Sequence, residues 1–313
     1  MTDVSGRDAV QGGPVQGDAV QGGGVRAGDL TGVRAARPGA IAEAAAARRR
    51  REGPPGAAGR RLMLIAADHP ARGALGVGGD LTATADRREL LDRLCAALGR
   101  PGVDGVIGTP DILEDLLLLG ALDGRLAIGS MNRGGLAGTA FEIDDRFTAY
   151  DAAAIAASRL DGGRLLFRVD DSDPATARTL EGCAGAVSAL ARRRLLALVE
   201  PLVAHRVDGR VRNLVTPEAM IRAVSVASGL GVTSAYTWLK VPVAPEMARV
   251  LAATTLPALV SGGDDGGDPR EAMDGWRRAL RIPGVRGLVI GRALLYPPDG
   301  DVEGAVDAAA ALL

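Results

Sequence analysis

The sequence predicts a (β/α)8 barrel, an α/β fold in which eight parallel strands close on themselves inside a ring of helices. Three observations predict it. Eight short runs rich in Val, Leu and Ile recur along the chain, each followed by an amphipathic helical stretch. Those runs are apolar throughout rather than alternating, as expected of parallel strands covered on both faces. The length, 313 residues, suits one such barrel as a single unit.

The first residues form no such unit. Residues 8–13 and 18–23 both read Asp-Ala-Val-Gln-Gly-Gly, a polar, glycine-rich repeat with too little apolar surface to pack. Residues 1–28 are therefore expected to be a disordered leader, and residues 29–313 one domain. A preliminary helix is predicted over about residues 38–51, and its basic cluster at residues 48–51 reads as a solvated helix end. The strands are predicted over residues 62–67, 105–108, 126–129, 165–169, 195–199, 235–239, 258–260 and 287–290. Between them, apolar residues recur at helical spacing, as in Ala177, Leu180, Cys183, Ala184, Val187 and Leu190. Four helices open with Thr109-Pro110, Asp173-Pro174, Thr216-Pro217 and Asp268-Pro269. There Thr or Asp caps free N–H groups, and proline in the first turn costs no hydrogen bond. The competing fold, a doubly wound open sheet, carries a glycine-rich dinucleotide fingerprint after an early strand. Gly73, Gly76 and Gly78 follow the first strand but have the wrong spacing and read as loop flexibility.

Composition narrows the function. At 47% hydrophobic and 24% charged the chain can bury a large core, and a formal net charge of −1 gives nucleic acid no global attraction. No apolar run is long enough to span a bilayer, and the N-terminus lacks the order of a secretory signal. Cys95 and Cys183 fall within helical patterns and read as reduced, buried residues of a cytoplasmic protein. The expected partner is a small molecule, with neither nucleic acid nor membrane; a homo-oligomer is allowed.

Lys240 is the only lysine, although the chain carries 37 Lys plus Arg. Arginine serves wherever only positive charge is needed. It cannot serve where a neutral amine must attack a carbonyl, because guanidinium stays protonated. Lys240 ends a strand-like run, and burial inside a barrel favours the neutral amine. Chance survival on a solvated surface is the plainer reading, and Tyr236, Trp238 and Leu239 beside it argue for a buried strand instead.

Barrel active sites lie at the carboxyl ends of the strands. There the sequence places Asp68-His69, Asp111, Asn132-Arg133, Asp170-Asp171, Glu200, Lys240, Gly262-Gly263 and Gly291-Arg292. An iminium on Lys240 is an electron sink for a breaking carbon–carbon bond, and the reaction needs an acid/base for its protons. Glu200 ends the preceding strand, about 4.8 Å away, and Asp68 is the second candidate. Either carboxylate could instead be a structural partner for an arginine. Glycines after strands seven and eight (Gly262, Gly263, Gly291), with Arg292, suit a phosphate. The long segment between Ser130 and Tyr150 offers Asn132 and Arg133 for substrate. The segment after Glu200 reads as a loop whose His205, Arg206, Arg210 and Arg212 suit a second anion. Two histidines are too few for a usual zinc site, a magnesium site from Asp68, Asp170 and Glu200 stays open, and neither metal nor cofactor is expected. A pyridoxal-phosphate barrel and a non-catalytic sugar-phosphate-binding barrel are the rival functions.

The segments Val199-Glu200-Pro201, Trp238-Leu239-Lys240-Val241-Pro242-Val243 and Gly291-Arg292-Ala293 resemble class I, Schiff-base-forming sugar-phosphate aldolases, with motifs like tagatose-bisphosphate and sulfofructose-phosphate aldolases. The segments Ala67-Asp68-His69-Pro70-Ala71-Arg72-Gly73 and Ser130-Met131-Asn132-Arg133-Gly134-Gly135-Leu136 are similar to an actinobacterial group labelled deoxyribose-phosphate aldolase and associated with inositol catabolism. The resemblance implies a class I aldolase barrel with Lys240 as the iminium-forming residue and Glu200 as acid/base. It implies Asp68 as a hydroxyl or proton-transfer partner, and Gly262, Gly263, Gly291 and Arg292 around a phosphate. Deoxyribose-phosphate aldolases use a second lysine on strand seven, which this chain lacks. The inositol association implies 6-phospho-5-dehydro-2-deoxygluconate, cleaved to dihydroxyacetone phosphate and malonate semialdehyde.

Overall fold

The computed structural model describes residues 25, 27–53, 56, 59–133, 135–262 and 268–313. The expected leader lies outside the described residues as far as residue 24, and Ala27–Asp29 form a 3-10 turn entering the first helix.

Among the described residues there are nine strands: β1 Leu62–Ala66, β2 Gly105–Gly108, β3 Leu126–Ser130, β4 Gly162–Val169, β5 Leu196–Val207, β6 Arg210–Leu214, β7 Thr237–Pro242, β8 Ala258–Ser261 and β9 Val285–Ile290. Eight of them pair in parallel around a closed ring. β1 lies between β9 and β2, β4 joins β5, and β5 skips the short β6 to reach β7. This is the (β/α)8 barrel that the sequence predicts. Helices α1 Leu30–Ala36 and α2 Ala40–Ala47 precede it. α3 Arg87–Gly99, α4 Pro110–Leu118, α5 Ala152–Ala157, α6 Ala175–Arg192, α7 Pro217–Ser228, α8 Met247–Leu251 and α9 Pro269–Ala279 connect the strands. α10 Arg292–Leu295 and α11 Val302–Ala310 complete the ring after β9.

The proline-marked helix starts are real, with local variations. Thr216 and Asp268 accept hydrogen bonds from the backbone N–H of Ala219 and Arg270. Asp173 accepts from Ala175 N, so α6 starts one residue later than its proline. Thr109 turns its hydroxyl to the Asp111 carboxylate instead of capping α4.

Two expectations need correction. The cluster at residues 48–51 is not a solvated helix end. Arg48 is buried, and its guanidinium donates to the carbonyls of Leu122, Arg125 and Arg159 and to Asp161 Oδ2. Arg50 joins Asp161, and Arg51 joins Asp104, so the segment clasps the amino ends of three strands. The residues after Glu200 are not a loop either. β5 continues to Val207 and returns as antiparallel β6 through Asp208 and Gly209, both left-handed at φ 51° and 74°. Asp-Gly favours the two-residue turn that matches strand twist.

Alternation along the strands separates two cores. Met63, Ile65, Ala127, Val199, Leu239 and Val260 point outward into the layer shared with the helices. Leu62, Leu64, Leu126, Ile128, Leu196, Leu198, Leu259 and Val289 fill the barrel. The lower barrel is thus an apolar plug. Among the described residues, no helix is long and apolar enough to cross a membrane.

Candidate active site

Above that plug the same inward-facing positions change chemistry. Two residues past Ile128, Leu198, Trp238 and Leu259 come Ser130, Glu200, Lys240 and Ser261. Arg164 pairs in register with both Ser130 and Leu198, so it shares their face. Asp68 lies two residues past inward-facing Ala66.

These side chains form a line of alternating charge. Lys240 Nζ donates to Glu200 Oε1 at 2.9 Å. The other Glu200 oxygen contacts Arg164 Nη2. Arg164 Nη1 lies 3.4 Å from Asp68 Oδ2, which also contacts Arg133 Nη2 and accepts from Ser130 Oγ. Lys240, Glu200, Arg164 and Asp68 are exposed by only 5%, 9%, 3% and 1%. With so little water among them, each charge feels its neighbours strongly.

The titration behaviour follows. Burial alone pushes the Asp68 carboxyl up, but Arg133 and then Arg164 outweigh it and hold the group well below the usual carboxylate range. Burial pushes the His69 imidazole well below its ordinary value, against the pull of Asp68, and Arg292 and Arg133 add to the fall. His69 is therefore neutral at physiological pH. Burial and the neighbouring Arg133 bring Arg164 down to about 9.

On the far side of Lys240, β8 and β9 bring the expected phosphate elements together. Gly262 follows β8 with φ +139°, a conformation that side chains rarely adopt. Gly291 packs so closely that an added Cβ would lie 2.6 Å from the Ala66 carbonyl and 3.1 Å from the His69 ring. Arg292 opens α10 and donates from Nη1 to Gly76 O at 2.9 Å. Gly263 lies outside the described residues, as does Gly134.

Other candidates take different places. Asn132 is fully buried and spends its amide on backbone: Nδ2 donates to the carbonyls of Asp145 and Leu166, and Oδ1 accepts from Leu166 N. It fixes the segment after β3 to β4. Arg168, also on β4, grips Asp145 of that segment through Nε at 2.7 Å and Nη2 at 2.6 Å. Arg72 holds Glu142 at 2.9 Å. His205 and Arg206 lie on the hairpin and face Asp170 and Asp173 at 3.4 and 3.6 Å. Asp170 accepts from Ser172 N and Oγ. Among the described residues no group of three or more His, Cys, Asp or Glu side chains gathers to hold a metal ion. Cys183 is buried, which raises its thiol to about 12. An apolar cavity of about 640 Å³, lined by Met273, Trp276 and Tyr296, opens beside α9 and α11, apart from the charged line.

Arg164, the centre of that line, was not among the residues singled out from sequence. A signal existed. Arg164 and Arg168 interrupt an otherwise apolar strand at even spacing, which puts both on one face of a buried element.

The family model described as Cgl0159-like matches residues 60–310. The chain belongs to the Cgl0159-like family. The crystal structure of Cgl0159 from Corynebacterium glutamicum is 49% identical, with a TM-score of 0.88 over 91% of this chain and 95% of that one. The fold also resembles an archaeal fructose-1,6-bisphosphate aldolase solved with its catalytic Lys covalently bound to the carbinolamine intermediate. That pair shares 18% identity and a TM-score of 0.62, over 87% of this chain and 98% of the other. A fructose-bisphosphate aldolase from Slackia heliotrinireducens shares 18% identity and a TM-score of 0.56, over 80% and 85%. At such identity the likeness carries the barrel alone. None of the curated proteins compared matches the chain.

Proposed function

We propose that this Cgl0159-like protein is a class I aldolase that cleaves a phosphorylated ketose or keto-acid sugar through a Schiff base on Lys240. The observation that carries this reading is the Lys240–Glu200 hydrogen bond of 2.9 Å inside the barrel. It pairs the chain's single primary-amine side chain with a proton acceptor in a dry interior.

The neutral Lys240 amine adds to the substrate ketone, and the resulting carbinolamine loses water to leave an iminium. A base removes the proton of the hydroxyl on the second carbon from the iminium carbon, at the far end of the bond between the first and second carbons. That bond breaks, its electron pair flows into the iminium to give an enamine, and an aldehyde departs. Protonation of the enamine and hydrolysis then release the second product and restore the amine. Glu200, bonded to the amine, is placed to handle the protons of carbinolamine formation and loss. Asp68, kept ionised by Arg133 and Arg164, suits the hydroxyl proton or orients that hydroxyl. Gly262, Gly291 and Arg292 are assigned to the phosphate, in the position where such barrels often hold one; Gly263 shares that assignment. No metal or cofactor takes part in this reading.

Within this class, the resemblance of the segments around Asp68 and Asn132 to inositol-associated proteins supports 6-phospho-5-dehydro-2-deoxygluconate. The absence of a second lysine disfavours deoxyribose phosphate. The test is reductive trapping. Borohydride added with each of a panel of ketose phosphates should leave a stable adduct on Lys240, read by mass spectrometry. Turnover without an adduct, abolished by chelators, overturns the proposal.

A further inference from the structure

We infer that the apolar cavity beside α9 and α11 is a second ligand site, built for an amphiphilic amine: an apolar or aromatic body that carries one ammonium group. This goes beyond the aldolase reading and does not depend on it.

The cavity stands outside the reaction chamber. Among the described residues, none of Lys240, Glu200, Asp68, Gly262, Gly291 and Arg292 lines it. It opens behind the phosphate elements. Ala293 and Leu294 in its wall follow Arg292, and Val77 and Gly78 follow Gly76, whose carbonyl accepts from Arg292. Its volume of about 640 Å³ is that of a small-molecule pocket, which spans roughly 300–1,000 Å³.

What the wall offers defines the ligand. Pro297, Pro298, Met273 and Ala305 bring apolar side chains. Trp276 and Tyr296 carry polar atoms, but the indole Nε1 and the phenol oxygen are buried in the protein. The two rings therefore show the cavity carbon and π surface. The charged side chains of the wall are Asp299 and Asp301, both acidic. Asp299 Oδ1 accepts from Asp301 N at 3.0 Å, and Asp301 Oδ1 accepts from Gly304 N at 2.9 Å. Those bonds fix the two carboxylates at the start of α11 and leave Oδ2 of each to a ligand's donor.

A cation suits both features at once. Aromatic faces attract positive charge, and Tyr296 already does so, with the Arg93 guanidinium 4.6 Å from its ring centroid. Arg93 is not part of the cavity wall, so the cavity meets that ring from another side. A carboxylate of the same shape would face two like charges with no cation in the wall. A neutral alcohol would gain a hydrogen bond and neither of the charge terms.

The experiment is calorimetric titration of the full chain with naphthylethylamine, naphthylethanol and naphthylacetate, which share a ring system and differ in the charge of the end group. The amine should bind about tenfold tighter than the acid, the size of one cation–π contact with one exposed ion pair, and the alcohol should fall between. Asp299→Asn with Asp301→Asn keeps both Oδ1 acceptors and a good helix cap, and should erase the preference of amine over alcohol. Ala305→Trp fills the cavity and should abolish binding of all three. Should Ala305→Trp fail to fold, the asparagine pair decides alone. No binding by any of the three, as when a second copy of the chain covers the wall, overturns the inference. So does a series in which the amine is not the tightest ligand, or an amine preference that the asparagine pair leaves unchanged.

Discussion

Lys240 and Glu200 stand one register step beyond the paired residues Leu239 and Val199, and the amine meets the carboxylate at 2.9 Å inside the barrel. The two side chains serve one another only if Lys240 can be deprotonated. Lys240→Met should abolish reductive trapping. Lys240→Arg should be equally inert, because a guanidinium does not yield a nucleophilic nitrogen. Glu200→Gln keeps the shape and removes the base, and should slow turnover by about 10²–10⁴-fold. Single-turnover trapping rates measure all three. A fast Glu200→Gln enzyme would reassign the proton work to Asp68.

Arg168 and Asp145 tie the segment after β3 to the barrel, with both side chains almost fully buried. Burial drives the Asp145 carboxyl upward, and Arg168 only partly offsets it, so the anion depends on its partner. Arg168→Met should cost about 3–5 kcal/mol in urea unfolding, since it leaves a carboxylate buried alone. Adding Asp145→Leu should return much of that loss. Faster amide exchange over residues 135–150 in the single variant would show the segment released, with Asn132 and Arg133 at its start.

The barrel was legible because parallel strands buried on two faces must be apolar runs, and their spacing counts them. That Asp68, Glu200 and Lys240 would meet at the carboxyl end of the barrel was legible because parallel strand ends converge there, and one lysine among many arginines is conspicuous. What escaped was tertiary. Arg48 looks like any helix-end arginine until four acceptors from the starts of β3 and β4 surround it. Arg164 left a mark in the sequence as a charge inside an apolar strand, but its partners Asp68 and Glu200 became visible only when closure brought β1, β4 and β5 to one interior. The hairpin was a local miss, because Asp208-Gly209 between extended runs is a direct turn signal.

His69 sets a slope of stability against pH. Its imidazole is held well below its ordinary value in the fold, burial being the largest cause, so the unfolded chain takes the proton first. Stability should therefore fall as pH drops below about 6.5, the unfolded value, and keep falling until the folded group titrates. The loss is at most about 1.4 kcal/mol per pH unit for one proton. His69→Gln should flatten the dependence between about pH 5 and 6.5, above the range where carboxylates titrate. Urea midpoints across that range decide it, and an unchanged slope would place His69 in water.

Arg48 sits at the opposite end of the barrel from Lys240, where residues secure the strands rather than the chemistry. Its guanidinium satisfies three carbonyls and Asp161, and Asp161 in turn accepts from Ala127 N at the start of β3. Arg48→Met strands those acceptors and should lower stability by about 3–5 kcal/mol. Arg48→Lys keeps the charge, but a single ammonium cannot span acceptors so widely placed, and it should fall between the two. Neither change touches the polar layer above the plug. The trapping rate of folded protein, assayed well below the melting temperature, should match that of the native chain. A loss of rate without a loss of stability would instead couple this clasp to the site through β3 and β4, the strands that carry Ser130 and Arg164.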